Sequence, residues 1–192
     1  MSKPFRIAIF ASGSGTNAEA IMNYFQSHSL IEVGLIVSNN KEAKVLERAD
    51  RFNVSSLTFT KTEFRDPTTI LTSLEQQSIT HIVLAGFMWL VPRYLVNEYP
   101  DKIINIHPAL LPKFGGKGMY GMHVHHAVKD ASERVTGITI HLVNEHYDDG
   151  AILLQKTCSV ASSDSAEDIA DKVHRLEYHW YPITIENWIT KR

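Results

Sequence analysis

Short apolar runs alternate along the chain with segments whose apolar residues recur at helical spacing. The runs fall at residues 6–10, 31–38, 56–59, 81–85 and 103–106. Each is nearly continuous and rich in β-branched residues, the pattern of parallel strands covered on both faces. Between them, residues 17–27, 41–52 and 67–77 predict helices, the last opened by Pro67, a residue accepted in a first helical turn. Strand and helix in alternation predict a doubly wound α/β sheet for the first half. The second half changes character. Residues 136–143 alternate, with Ile138, Ile140 and Leu142 set against Thr139, His141 and Val143. Residues 152–160 predict a further strand, able to pair with them antiparallel through the intervening turn. The expected fold is thus α/β, a doubly wound and mostly parallel sheet with an antiparallel C-terminal portion. A long final helix is expected from near Asp164, whose side chain would cap the amide of Glu167. It carries Ile169, Val173, Leu176, Trp180 and Ile183 on one stripe, with Pro182 kinking it or ending its regular part.

Composition narrows the function classes. With 44% apolar residues in 192, the chain is long enough for one well-buried core, and no repeat, low-complexity tract or linker divides it, so a single domain over residues 1–192 is expected. The net charge of −2 provides no basic field for nucleic acid and no polybasic run for a membrane surface. The lone Cys158 excludes an internal disulfide, reads as a small buried strand residue, and fits a reducing cytoplasm. The first apolar run stops at Ser12-Gly13, too short for a signal-peptide core or a membrane span. Cytoplasmic localisation is expected.

Candidate chemistry concentrates in three places. In Ile103-Ile104-Asn105-Ile106-His107-Pro108, residues two apart on a strand project to the same side, so Asn105 and His107 point together and Ile104 and Ile106 pack opposite. Pro108, lacking a ladder donor, ends the strand just past them. A carboxamide and an imidazole at a strand tip can donate to an oxygen that becomes negative during acyl transfer. The second place is Ser12-Gly13-Ser14-Gly15-Thr16-Asn17, between a strand and a helix, where backbone amides and the helix N-terminus cradle an anion. Gly13-x-Gly15-x-x-Ala18 also satisfies a loose dinucleotide fingerprint. That reading requires an acid at the end of the second strand, where Ser38, Asn39 and Asn40 stand, and Glu32 lies at the wrong end. A phosphate monoester is the better guest. The third place is the acidic turn Tyr147-Asp148-Asp149-Gly150, unspecific by itself.

Taken together these motifs are specific. Ser12-Gly13-x-Gly15-Thr16-Asn17, Leu84-Ala85-Gly86-Phe87-Met88, Asn105-Ile106-His107-Pro108-x-Leu110-Leu111-Pro112 and Asp148-x-Gly150-x-Ile152-Leu153-x-Gln155 follow one another in order and spacing. From about Arg6 to Ile189 the chain closely resembles the folate-dependent phosphoribosylglycinamide formyltransferase (glycinamide ribonucleotide transformylase) family of purine synthesis. The resemblance implies a fold of the formyltransferase type and a catalytic trio of Asn105, His107 and Asp148. It implies a ribonucleotide site at Gly13, Gly15, Thr16, Asn17 and Glu177. It places the folate at Met88, Trp89, Leu90, Val91 and His141, beside Asn105 and Asp148. The implied co-substrate is 10-formyltetrahydrofolate, with no metal. The implied partners are this folate and glycinamide ribonucleotide, not nucleic acid or membrane, and a homodimer is compatible with the sequence.

The chain departs from the usual family pattern in three places. Trp89 stands where arginine often follows Gly-Phe-Met, Asp149 where Gly or Ala is usual, and residues 114–121 are long and glycine-rich. Asp148 is taken as the catalytic aspartate on its spacing to Gly150, Ile152 and Gln155. The glycine-rich segment is expected to be mobile, bringing Lys117 toward the ribonucleotide phosphate. His123, His125 and His126 lack the further spaced ligands of a metal site and read as surface or ribonucleotide-proximal groups at the start of a short helix through Val128. The alternatives are a formyl-folate enzyme with another acceptor or water, and a non-catalytic nucleotide-binding Rossmann-like module. The methionyl-tRNA and hydrolase branches of the formyl-folate enzymes carry extra domains, which 192 residues do not accommodate. The module reading leaves Asn105, His107 and Asp148 without a purpose.

Overall fold

The computed structural model describes residues 4–191. Seven strands, β1 (Phe5–Phe10), β2 (Ile31–Ser38), β3 (Ser55–Thr58), β4 (His81–Leu84), β5 (Ile103–His107), β6 (Val135–Leu142) and β7 (Ile152–Ser159), form one sheet in the order β3-β2-β1-β4-β5-β6-β7. The first five run parallel, and β6 pairs antiparallel with both β5 and β7. The six α-helices are α1 (Thr16–Phe25), α2 (Lys44–Arg51), α3 (Pro67–Gln76), α4 (Arg93–Glu98), α5 (Met122–Asp130) and α6 (Ala166–Thr190). The α/β order and the antiparallel end are as expected from the sequence. A 3-10 turn at Glu63–Arg65 and the short helix α4 are additions the pattern did not predict.

Each parallel strand is buried on both sides because its alternate residues feed two separate apolar layers. On β1, Ile7 and Ile9 join Ala18, Ile21, Val173 and Tyr181 on one face. Ala8 and Phe10 join Ile70, Leu74 and Leu95 on the other. On β5, Ile104 and Ile106 belong to the first layer and Ile103 to the second. Asn105 and His107, which share the parity of Ile103, therefore project beyond the apolar part of that second face. The sheet order reverses between β1 and β4, and the loops after these strands are stitched together: the Ser12 amide donates to the Gly86 carbonyl (3.0 Å) and the Met88 amide to Ser12 Oγ (2.9 Å). A crevice opens there, where doubly wound sheets place their ligands.

The last helix departs from expectation in its details. Its N-cap is Ser165, in a reciprocal capping box with Asp168. Asp164 instead accepts from the Ala161 amide and pairs with Lys172. Pro182 does not end the helix, which continues to Thr190. The buried residues Tyr181, Thr184, Ile185, Trp188 and Ile189 hold both halves on the sheet, offsetting the proline's cost of about 3 kcal/mol. The buried stripe accordingly passes through Glu177, Tyr181 and Ile185, while Leu176, Trp180 and Ile183 sit at its margin, half-buried. Cys158 is also half-buried, not fully covered, because β7 is an edge strand.

Tyr181 joins this helix to the site. Its fully buried hydroxyl donates to the Leu84 carbonyl, the last of β4, at 2.8 Å and lies 3.4 Å from the carbonyl of Ile104 in β5. Tyr181→Phe should lower unfolding free energy by about 1–3 kcal/mol by leaving a buried carbonyl short of a donor. Urea denaturation checks this; an unchanged midpoint would show that the carbonyls find other donors.

Candidate active site

The loop after β1 makes one end of the crevice. Gly15 caps α1 at φ +72°, and a Cβ there would fall 2.5 Å from Val45 Cγ2, so both the backbone and the space demand glycine. The first amides of α1 have no partners within the helix and form the head of an anion site. One residue into the helix, Asn17 Nδ2 donates to Glu177 Oε2 at 2.9 Å. Asn17 Oδ1 is buried with no hydrogen-bond partner. Glu177 is 5% exposed, and burial pushes its carboxyl up to about 7 against the opposing effect of the Asn17 bond. An unpartnered amide oxygen beside a buried carboxyl is a pair of acceptors awaiting hydroxyl donors. At the opposite end of β2, Glu32 pairs with Arg6.

Asn105, His107 and Asp148 meet at the other end. On β5 and β6, Asn105 pairs with His141 and His107 with Thr139. The turn before β7 places Asp148 over the β5 tip with φ +55°. Asp148 Oδ2 accepts the Gly116 amide at 2.9 Å and lies 3.4 Å from His107 Nδ1. Asp148 Oδ1 lies 3.4 Å from Asn105 Nδ2 and 3.6 Å from His141 Nε2. Asp149, by contrast, points outward beside His146 with 69% of its side chain exposed.

The carbonyl contacts fix both imidazoles. His107 Nε2 is 2.7 Å from the Phe114 carbonyl, which can only accept, so Nε2 carries a proton and Nδ1 faces the carboxylate. His141 Nδ1 lies in the same way 2.8 Å from the Leu142 carbonyl, which turns Nε2 toward Asn105 Nδ2 at 3.2 Å and Asp148 Oδ1 at 3.6 Å. Burial pushes the Asp148 carboxyl up, but His141, His107 and the Gly116 amide outweigh it and hold the group below its usual value. The hydrogen-bond donors and imidazoles around the carboxylate thus outweigh its burial. Burial lowers the His107 imidazole, against the raising effects of Asp148 and the Phe114 carbonyl. His107 Nδ1 and Asp148 Oδ2, 3.4 Å apart, can therefore hold one proton between them.

A cavity of about 560 Å³ joins the two ends. Its walls include the residues that the family resemblance assigned to catalysis and binding: Gly13, Gly15, Thr16, Asn17, Met88, Trp89, Leu90, Val91, Asn105, His107, His141, Asp148 and Glu177. Within the aromatic wall, Trp89 packs on Phe64 (5.4 Å between ring centroids) and Phe87 (6.1 Å). Met88 and Leu90 are exposed, whereas Val91 is also part of the second apolar layer. Lys117 and the glycines around it line the cavity from the segment before α5.

Two histidines add to the site. His125 is buried, has an unpartnered Nδ1, and is pushed down to about 4 by burial and by His174, His126 and His107. His174, with its ring centroid 6.1 Å away, stacks on Tyr178 and lines the same cavity. The sequence reading passed over His174, although its place three residues before Glu177 puts both on one helix face. His123 packs edge-on against Tyr120.

Comparison with known proteins identifies the family of the chain. Residues 5–185 match the family profile described as formyl transferase. The chain is 38% identical over 182 residues to the chloroplastic phosphoribosylglycinamide formyltransferase of Arabidopsis thaliana, covering 92% of this chain and 62% of that protein. It is 37% identical over 186 residues to phosphoribosylglycinamide formyltransferase of Bacillus subtilis (strain 168), covering 94% and 93%. The chain therefore spans less than two thirds of the plant relative and nearly all of the bacterial one. The crystal structure of phosphoribosylglycinamide formyltransferase from Bacillus halodurans superposes with a TM-score of 0.87 at 35% identity, covering 97% of this chain and 96% of that one.

Glu177 generates a pH-dependent prediction. Its carboxyl rises from 4.5 to about 7 on folding, so across that window the folded state binds the proton more tightly and stability falls as pH rises. Glu177→Gln removes this penalty. The variant's gain in unfolding free energy should grow from pH 5 and level off above about pH 7 at about 3 kcal/mol. Denaturant unfolding at pH 5 and pH 8 makes the comparison; a gain independent of pH would exclude Glu177 as the titrating group.

Proposed function

Because the chain belongs to the formyl transferase family, we propose that it transfers the formyl group of 10-formyltetrahydrofolate to the amine of 5'-phosphoribosylglycinamide, a step of de novo purine biosynthesis. The observation that carries this reading is the convergence of Asn105, His107 and Asp148 on one point of a cavity that also holds the anion loop. The ribonucleotide phosphate lies on the loop at Gly15, Thr16 and Asn17, and its ribose hydroxyls reach Glu177. The folate lies along Met88, Trp89, Leu90 and Val91 toward His141, with its formyl group over the β5 tip. This arrangement calls for no metal.

Residue chemistry supports the reaction in detail. The amine nitrogen attacks the formyl carbon and the carbonyl oxygen becomes an oxyanion. Asn105 Nδ2 and His107 Nδ1 stand where they can donate to it, the latter once the His107 and Asp148 pair has gained a proton. That proton comes from the attacking amine. When the bond from the formyl carbon to N10 breaks, N10 gains a proton, so the pair passes on what it received and ends unchanged. Phe114 holds His107 with the required nitrogen forward, and Gly116 keeps Asp148 ionised until the proton arrives.

Asp148→Asn should lower kcat roughly a hundred- to ten-thousandfold with folding retained, because the amide cannot accept the proton and Asn tolerates the positive φ. Asp149→Asn should stay within about threefold, since that side chain is solvated. Steady-state rates with both substrates test the order, and the reverse order would displace Asp148 from its role.

Inorganic phosphate should compete with the ribonucleotide and not with the folate. Thr16→Val should raise the ribonucleotide KM by roughly five- to tenfold through loss of a hydroxyl donor. Inhibition kinetics against each substrate decide this; competition with the folate alone would place the phosphate elsewhere.

A further inference from the structure

We propose that Arg48 is a positioning residue for the anion loop, holding the Ser14 peptide so that its following amide faces the ligand. The assignment rests on the phosphate reading above. Three consecutive carbonyls of the loop are engaged by donors outside the cavity. The Gly13 carbonyl accepts from the Val45 amide (3.2 Å), that of Ser14 from Arg48 Nε (2.7 Å), and that of Gly15 from the Glu19 amide (2.9 Å). Across a trans peptide the carbonyl and the next N–H point in opposite directions. With the carbonyls turned toward α2 and into α1, the amides of Ser14, Gly15 and Thr16 are turned toward the cavity, making a nest for an anion.

The three holds are not equivalent. Val45 and Glu19 donate from backbone fixed within α2 and α1, whereas Arg48 is the single side chain among them. Ser14 is exposed, and the residue after it is the glycine at φ +72°. The Ser14 to Gly15 peptide is therefore the one that can rotate if its carbonyl is released. Rotation would replace a donor in the nest by an acceptor, turning attraction for an anion into repulsion. Arg48 is itself aimed by Glu19 in the first turn of α1, which binds Arg48 Nη1 and, at 2.9 Å, Arg51 Nη2. Arg51 carries the same charge on the same Glu19 without a bond to the loop, so the contribution particular to Arg48 is one of geometry, and it acts on binding before any chemistry occurs.

The test compares Arg48→Gln, Arg48→Lys and Arg51→Gln in the full chain. For Arg48→Gln, the ribonucleotide KM and the inhibition constant of inorganic phosphate should rise together by roughly ten- to thirtyfold. The folate KM should hold and kcat should stay within about twofold. Arg48→Lys should recover part of the loss, because an ammonium can reach the Ser14 carbonyl but not also fork to Glu19. Arg51→Gln, which shares Glu19 without touching the loop, should change neither constant. An unchanged ribonucleotide KM in Arg48→Gln overturns the proposal. So does an equal rise from Arg51→Gln, or a parallel loss in kcat and both KM values with a lowered Tm, which marks general destabilisation. Failure of phosphate to compete in the unsubstituted protein would remove the phosphate reading itself. That result is distinguishable because it requires no change at Arg48.

Discussion

The Asp148 carboxylate takes the Gly116 amide and the Asn105 side chain on its two oxygens while two imidazoles flank it, so four segments distant in sequence converge on one buried charge. Each contact constrains another. Gly116 brings the glycine-rich segment down onto the site, and the Phe114 carbonyl two residues earlier fixes His107. His141 Nε2 in turn lies 3.2 Å from the Asn105 amide nitrogen. The geometry at the β5 tip is therefore a closed set of hydrogen bonds, and shifting one member redirects the rest.

The site contains two buried carboxyls that burial pushes the same way and that end up on opposite sides of their usual value. Asp148 is held low because donors and imidazoles surround it. Glu177, with one side-chain donor from Asn17, is driven up to about 7. The number of donors each group meets, rather than burial alone, separates them. The consequence is that two carboxyls lining one cavity differ in their readiness to hold a proton, Asp148 being the stronger acid and Glu177 the weaker.

Placement of these groups follows from sheet topology. Reversal of strand order between β1 and β4 leaves the loops after both strands beside one crevice, and the bonds from Ser12 to Gly86 and Met88 keep its two lips in register. The antiparallel β6 then supplies His141 opposite Asn105, and the turn into β7 supplies Asp148. The antiparallel end is thus where the third catalytic candidate comes from, as well as where the sheet stops. Tyr181 secures the same strand ends from beneath.

The sequence by itself determined the parallel strands, the antiparallel end, the anion loop and the pairing of Asn105 with His107. These follow from interactions between residues close in the chain: apolar runs, a glycine turn before a helix, and a two-residue period on one strand. The family motif it resembles also separated Asp148 from Asp149, and the structure has one carboxylate buried and the other exposed. Tertiary structure alone decided what those residues meet. The cap of α6 moved from Asp164 to Ser165 because Lys172 and the Ala161 amide claimed the former. The depressed Asp148, the raised Glu177 and the packing of His125 against His174 all depend on neighbours contributed by other strands and helices. A titratable group's charge state is set by the donors, charges and solvent around it, and those are fixed only when distant segments close over the same cavity.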